Sequence, residues 1–200
     1  MISFQTARLN IRPLLLTDAE DVFAMRRNPE VAKWGFKQAA DTSISETINW
    51  ILTNNLSPTN QPYINYKFAI CELIPDTTIP KPTVIGTLGV KLLASSLHPE
   101  DKNRVRWELG YGLHASVWGK GYATEAVKGV IDHFGEITQI LREEEGGKVH
   151  DGVVVEEGLW ASTAEENLAS QGVLRKCGFG FMGGFEDEVG RSCLDFRVLV

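Results

Sequence analysis

Residues 104–134 decide how this chain folds: RVRWELGYGL (104–113), HASVWGKGYAT (114–124) and EAVKGVIDHF (125–134). The first piece reads as a strand. Beyond it, Ala123, Ala126, Val127, Val130, Ile131 and Phe134 fall at i, i+3, i+4, i+7, i+8 and i+11, one apolar face of a helix. Between strand and helix lies Trp118-Gly119-Lys120-Gly121-Tyr122-Ala123-Thr124. Glycines there let the backbone come close to a ligand, and the first amides of a helix have no partner within it. With the positive end of the helix dipole, those amides suit phosphate oxygens. A tight turn without a ligand explains the glycines equally well. Two other phosphate loops are excluded: the third position of a dinucleotide G-x-G-x-x-G is Thr124, and no Walker glycine-lysine-serine/threonine follows.

Upstream, Arg8–Leu15 alternates as a first strand, with Leu9, Ile11 and Pro13 on one face. Thr17-Asp18-Ala19-Glu20 has capping-box spacing and opens a helix running to Asn28-Pro29. Ser43-Ile44-Ser45-Glu46 repeats the device ahead of Ile48, Ile51 and Leu52. Turn residues fill Ser57–Pro62. Tyr66–Leu73 and Thr83–Leu93 read as a hairpin across the proline-rich turn Pro75–Pro82, and Ser95–Asn103 as a loop. Downstream, a charged, glycine-bearing insert occupies about residues 142–157. After it come a β-rich stretch ending Leu159-Trp160-Ala161-Ser162, a helix from about Glu165 to Lys176, and two terminal strands. Gly178 is placed to stop that helix in the left-handed conformation. The order β-α-α-β-β-β-α-β-α-β-β predicts a single α/β domain over residues 1–200, its mixed, mostly antiparallel central sheet flanked by helices.

Composition narrows the class. The 200 residues are 43% hydrophobic and 23% charged, which suits a soluble globular protein and excludes collagen and bulk disorder. No apolar run approaches the roughly 18 residues of a spanning helix, so no membrane partner is expected. Twenty basic against twenty-six acidic residues leave a net charge of −6, the opposite of a nucleic-acid binder's balance. Cys71, Cys177 and Cys193 never stand in CxxC spacing and the four histidines are scattered, so no metal is expected. Cysteines read as reduced and packed, and an N-terminus that enters strand-like sequence at once, predict a cytoplasmic protein.

Three segments carry a family resemblance. Glu108-Leu109-Gly110-Tyr111 followed by Trp118-Gly119-Lys120-Gly121-Tyr122-Ala123-Thr124-Glu125-Ala126 resembles the acetyl-CoA signature of the GNAT superfamily of N-acetyltransferases. Ala7-Arg8-Leu9-Asn10-Ile11-Arg12-Pro13, with Asp18-Ala19-Glu20 behind it, is similar to the opening of that superfamily's Rim-type branch, the ribosomal-protein N-acetyltransferase-like enzymes. Asn167-Leu168-Ala169-Ser170, then Leu174-Arg175-Lys176-Cys177-Gly178-Phe179, is similar to its closing motif. Two departures stand out. Trp118 occupies a position that is usually Gln or Arg, and Leu174 stands where many relatives carry a tyrosine that protonates the departing thiolate.

The resemblance implies acetyl-CoA as co-substrate, held by Trp118, Gly119, Lys120, Gly121, Tyr122, Ala123, Thr124 and Asn167, with pantetheine lying between the splayed fourth and fifth strands. It implies an amine acceptor, a small molecule or a protein N-terminus, attacking the thioester directly in a monomer or homodimer. An amine must be neutral to attack, yet α-amines titrate near 8 and lysines near 10.4, so a base is useful. Glu108 is the candidate base; alternation puts it on the face of Arg106 and Gly110, where pairing with Arg104 or Arg106 is the alternative. The resemblance places an oxyanion-stabilising backbone N–H near Leu113 and Ser170 beside the sulfur, where it would protonate the thiolate; a helix-surface hydroxyl is the alternative. For Asn167, a helix N-cap is an equal reading. Trp34 and Trp50 lie near the helices that wall the acceptor site in this family, and core packing is the alternative to amine stacking. A catalytically idle acyl-CoA-binding or regulatory module of the same fold is the competing function.

Overall fold

Strand β3 (Asn65–Glu72) shows why the chain builds a sheet covered on both faces. Phe68 and Ile70 enter one core, while Ala69 and Cys71, at the alternate positions, enter another, and all four are fully buried. The structure is a computed structural model that describes residues 2–55, 65–73, 83–96, 101, 103–144 and 153–200. The other strands are β1 (Phe4–Gln5), β2 (Leu9–Pro13), β4 (Val84–Ala94), β5 (Arg104–Leu113), β6 (Val154–Ala164), β7 (Gly180–Glu186) and β8 (Ser192–Val198). They lie in the order β1-β2-β3-β4-β5-β6-β8-β7, every neighbouring pair antiparallel except β5 and β6.

The parallel pair needs a crossover, which α4 (Tyr122–Asp132) and α5 (Phe134–Glu144) supply. With α6 (Leu168–Lys176) they cover the larger core, where Ala126, Val127, Val130, Ile137 and Leu174 meet Phe68, Val90 and Leu109. On the opposite face α1 (Ala19–Arg26) and α3 (Ile44–Asn55) bury Val22, Met25 and Ile51 over Ala69 and Cys71. The expected mixed α/β sheet flanked by helices is therefore present.

Several boundaries differ for local reasons. The helix expected to reach Phe134 ends at Asp132: His133 leaves helical geometry at φ −108°, its ring bonds Gly129 O at 2.9 Å and stacks on Phe4, and α5 starts anew. The charged insert is helical as far as Glu144 and joins β6 from Val154; residues 145–152 lie outside the described residues, as do the turns Ser57–Pro62 and Pro75–Pro82. The last helix begins at Leu168 rather than Glu165, because Asn167 Oδ1 accepts the Ser170 N–H at 3.1 Å and caps it there. At the entrance to α1 the Asp18 carboxylate, wholly buried, accepts from the Leu15 N–H and from both terminal nitrogens of Arg12. A short helix, α2 (Pro29–Ala32), follows, capped by Asn28. It and β1 were not expected.

The centre of the sheet is tied by charge. Arg106 on β5, 1% exposed, donates to both carboxylate oxygens of Asp195 on β8, at 2.7 and 2.9 Å. Ser162 on β6 donates to the same carboxylate at 2.7 Å, as does Ser96 at 2.6 Å. Removing one partner of a buried pair leaves the other charge uncompensated, at a cost of about 3–5 kcal/mol. Asp195→Ala should lower the unfolding free energy by about that amount, read as a lower urea midpoint with an unchanged slope.

Candidate active site

Strands β5 and β6 separate where the sequence reading places the cofactor arm. Their ladder runs from Arg104↔Val154 to Glu108↔Trp160 and stops there. The pairing slips between Arg106, opposite Glu156, and Trp107, opposite Leu159, so Glu157 and Gly158 form a bulge. Gly158 has φ +86°, and a Cβ there would lie 2.4 Å from Val198 O, so only glycine fits this bend.

Beyond Glu108, β5 still pairs with β4. His114 N–H bonds Ile85 O at 2.8 Å and Ser95 N–H bonds Arg104 O, so by antiparallel alternation the even-numbered residues of β5 spend their backbone groups on β4. Tyr111 and Leu113 turn theirs toward the gap. The Leu113 carbonyl takes the Trp118 indole N–H at 2.9 Å, which explains why a tryptophan serves at that position. The gap is thus lined by strand-edge hydrogen-bonding groups waiting for an extended partner.

The glycine turn has the expected shape. Gly119 and Gly121 have φ +76° and +84°, space is open where a Cβ of Gly119 would stand, and Gly121 precedes α4 without any side-chain cap. Tyr122, Ala123 and Thr124 form the first turn, so their amides are uncommitted within the helix. The N-terminal segment braces this turn. Arg8 donates to the Lys120 carbonyl at 3.1 Å, lies 4.5 Å over the Tyr122 ring and binds Glu125 through its side chain and backbone. Thr6 donates to Glu125 at 2.6 Å. Burial pushes the Glu125 carboxyl up, but the Thr6 and Arg8 hydrogen bonds outweigh it and hold the group below its usual range.

Glu108 sits at the apex of the gap, its side chain 23% exposed. Oε2 accepts from Arg106 at 2.9 Å and lies 3.2 Å from Ser162 Oγ, whose one hydrogen goes to Asp195, while Oε1 has no donor among the described residues. It pairs with Arg106 as the alternative reading allowed, but Arg106 is buried rather than on a solvated face.

On the α6 side, Ser170 Oγ lies 2.8 Å from the hydroxyl of Tyr111, a residue of the open part of β5. Burial pushes the Tyr111 phenol up to about 12, against the lowering effect of the Ser170 hydrogen bond, so it stays protonated as a donor. Tyr111 escaped the sequence reading, although it stands inside the quoted signature and alternation points it away from Glu108. Leu174, where a tyrosine was missing, is buried in the core. Cys71, Cys177 and Cys193 are all buried and unpaired. Burial raises the Cys177 thiol, which donates to the Thr124 carbonyl.

The face carrying Glu108 holds a residue no motif announced. Lys67 on β3 pairs with Gly89 on β4, which pairs with Gly110 on β5. A Cβ at Gly89 would stand 2.9 Å from Lys67 Nζ, so the lysine lies across β4 in the space that glycine vacates. Trp50 covers it, 5.5 Å from Nζ, with Arg26 on that ring at 4.3 Å. Burial, then the charges of Lys91 and Arg26, push the Lys67 ammonium down to about 7 despite Glu108. Trp34 instead lines a surface hollow of about 520 Å³ with Lys33, Gln38, Glu165 and Arg191. Among the described residues, no group of three or more His, Cys, Asp or Glu side chains could hold a metal ion, and no helix is long and apolar enough to cross a membrane.

The family model described as "Acetyltransferase (GNAT) domain" matches residues 8–180, and the chain belongs to that family. It is 32% identical over 134 residues to an uncharacterized N-acetyltransferase, p20, of Bacillus licheniformis, a match spanning 66% of each chain, just under two thirds. Its fold is similar to that of a GNAT-family acetyltransferase from Bacillus anthracis, with TM-score 0.69 and 18% identity over 99% of this chain and 98% of that one. It is also similar to MccE, a microcin C7 self-immunity acetyltransferase solved with acetyl-CoA and AMP, with TM-score 0.66 and 17% identity over 98% and 94%.

Lys67 gives the fold a pH signature. Unfolded, its ammonium holds its proton up to about 10.5; folded, it releases it near 7. Unfolding between those values takes up a proton, so stability rises with pH across that window and is flat below it. The melting temperature of the wild type should therefore gain on that of Lys67→Met as pH is raised from 6 to 9, measured by scanning calorimetry.

Proposed function

We propose that the protein transfers the acetyl group of acetyl-CoA to a primary amine by direct attack in a ternary complex, as a Rim-type member of its family working in the cytoplasm. The reading rests above all on the gap between β5 and β6, which has unpaired strand-edge groups along one side and a partly exposed carboxylate at its apex. Acetyl-CoA fits these residues. The amides after Gly121 suit its phosphates, the gap accepts its extended arm, and the co-substrate brings the activated thioester.

In this mechanism Glu108 Oε1 takes the proton of the incoming amine, directly or through one water, while Arg106 holds Oε2 in place. The amine nitrogen forms the amide bond as the carbon–sulfur bond breaks. The Leu113 N–H, fixed in its strand, faces the charge that gathers on the thioester oxygen. Ser170 donates a proton to the departing thiolate, with the Tyr111 hydroxyl behind it. Its position at the N-cap turn accounts for Asn167, which orients Ser170 through the backbone bond.

Free-thiol release from acetyl-CoA over N-terminal peptides, polyamines and aminoglycosides tests the activity. Cofactor binding with no release on any of them would leave the idle module. Glu108→Gln should cost about 10²–10⁴ in rate near pH 7, with the loss shrinking at high pH where the amine is already neutral. Ser170→Ala should lower kcat about 10–100-fold and keep the acetyl-CoA Kd within about threefold, because the hydroxyl meets sulfur charge that develops only late in the reaction.

A further inference from the structure

Lys67 is 7% exposed, and among the described residues its ammonium has neither a hydrogen bond nor an ion pair, only the Trp50 ring. A buried cation left this way is costly. Its neighbours add positive charge. Lys91, two residues along β4 on the same face, has no ion-pair partner among the described residues, and Arg26 approaches from α1 with its charge already matched by Asp41. From α3 comes the Trp50 ring; from β5 the facing acid is Glu108, itself held by Arg106. Among the described residues the sheet beside the lysine is bare. Gly110 pairs with Gly89, and no described atom lies within 4 Å of where a Cβ of Gly110 or Gly112 would stand. Glu108, two residues from Gly110 on the same face, borders this open strip.

We propose that Lys67, with Lys91 beside it, receives an anionic group of the acceptor, so that the site selects amines carrying a carboxylate or phosphate a few bonds from the nitrogen. The inference rests on the acetyltransferase reading for the place of the amine, next to Glu108. Residues diagonal across a strand pair are about 7–8 Å apart, so a group over Gly89 and an amine at Glu108 are joined by a short chain. Lys91 stands opposite Glu108, whose carboxylate is already shared with Arg106, so the two lysines leave the strip a positive excess that defines a binding difference between an acid and its neutral amide. The anion supplies the counter-charge that Lys67 lacks, and the lysine takes up a proton as it binds.

The test uses the full chain loaded with CoA and matched probes: β-alanine against β-alaninamide, 4-aminobutyrate against 4-aminobutanamide, and 2-aminoethyl phosphate to separate phosphate from carboxylate. Binding is measured at pH 7.5 by calorimetry in two buffers of different ionisation enthalpy, and turnover, with acetyl-CoA in place of CoA, as thiol release. Wild type should bind β-alanine and 4-aminobutyrate each at least about tenfold more tightly than its amide, with proton uptake. Lys67→Met should lose both the preference and the uptake, keep its CoA affinity, and show the rise in KM on acids with kcat on amides little changed. Comparing wild type and variant on one pair cancels the probes' different amine basicities. Equal ratios in the two proteins, no binding of any anionic probe, or a preference without proton uptake would overturn the proposal. Lys67-dependent binding without thiol release would uphold it and overturn the acetyltransferase reading instead.

Discussion

The buried pair of Arg106 and Asp195 is the constraint on which the rest of the structure depends. One guanidinium binds β5 to β8 across β6, and Ser162 of β6 closes the triangle. Immediately past this knot the two parallel strands part. Charges taken out of water must be satisfied where they stand, and the ladder ends two residues past Arg106, at Glu108. Glu108 shares Arg106 with Asp195, so one cation both holds the sheet together and orients the carboxylate at the mouth of the gap. Structure and site are joined at a single side chain.

Most of the fold was legible in the sequence because its elements obey simple periods. The alternation of β3, β4 and β5 and the apolar stripe of α4 were read within a residue or two of their bounds. What escaped was decided by contacts between distant segments. The break at His133 depends on its ring finding Phe4, and the start of α6 depends on one asparagine oxygen outcompeting two helix-compatible residues, Glu165 and Glu166. In the site, the glycine turn and Glu108 carried local signatures. Lys67 carried none. A lysine among Phe68, Ala69, Ile70 and Cys71 is the only hint, and the glycine that makes room for it lies 22 positions away on another strand.

The opening segment shows how a sequence motif and a binding turn that are far apart become one object. Thr6 and Arg8 converge on Glu125, and Arg8 also reaches the Lys120 carbonyl, so the turn between β1 and β2 clasps the glycine turn from outside. Two glycines with positive φ would otherwise leave that loop many conformations. The clasp preorganises it, so less ordering entropy is lost when a ligand arrives.

Strand edges are hazardous because their free amides and carbonyls can recruit another chain. In this protein two of them face each other inside the sheet, between β5 and β6, with α4 and α6 over one face and a buried ion pair across the closed end. A foreign strand cannot enter broadside; only something slender and extended can slide in. The same wedge that creates a hydrogen-bonding surface for a ligand therefore also hides the stickiest part of the backbone from neighbouring molecules. Closing it by restoring the ladder would remove the hazard and the binding site together.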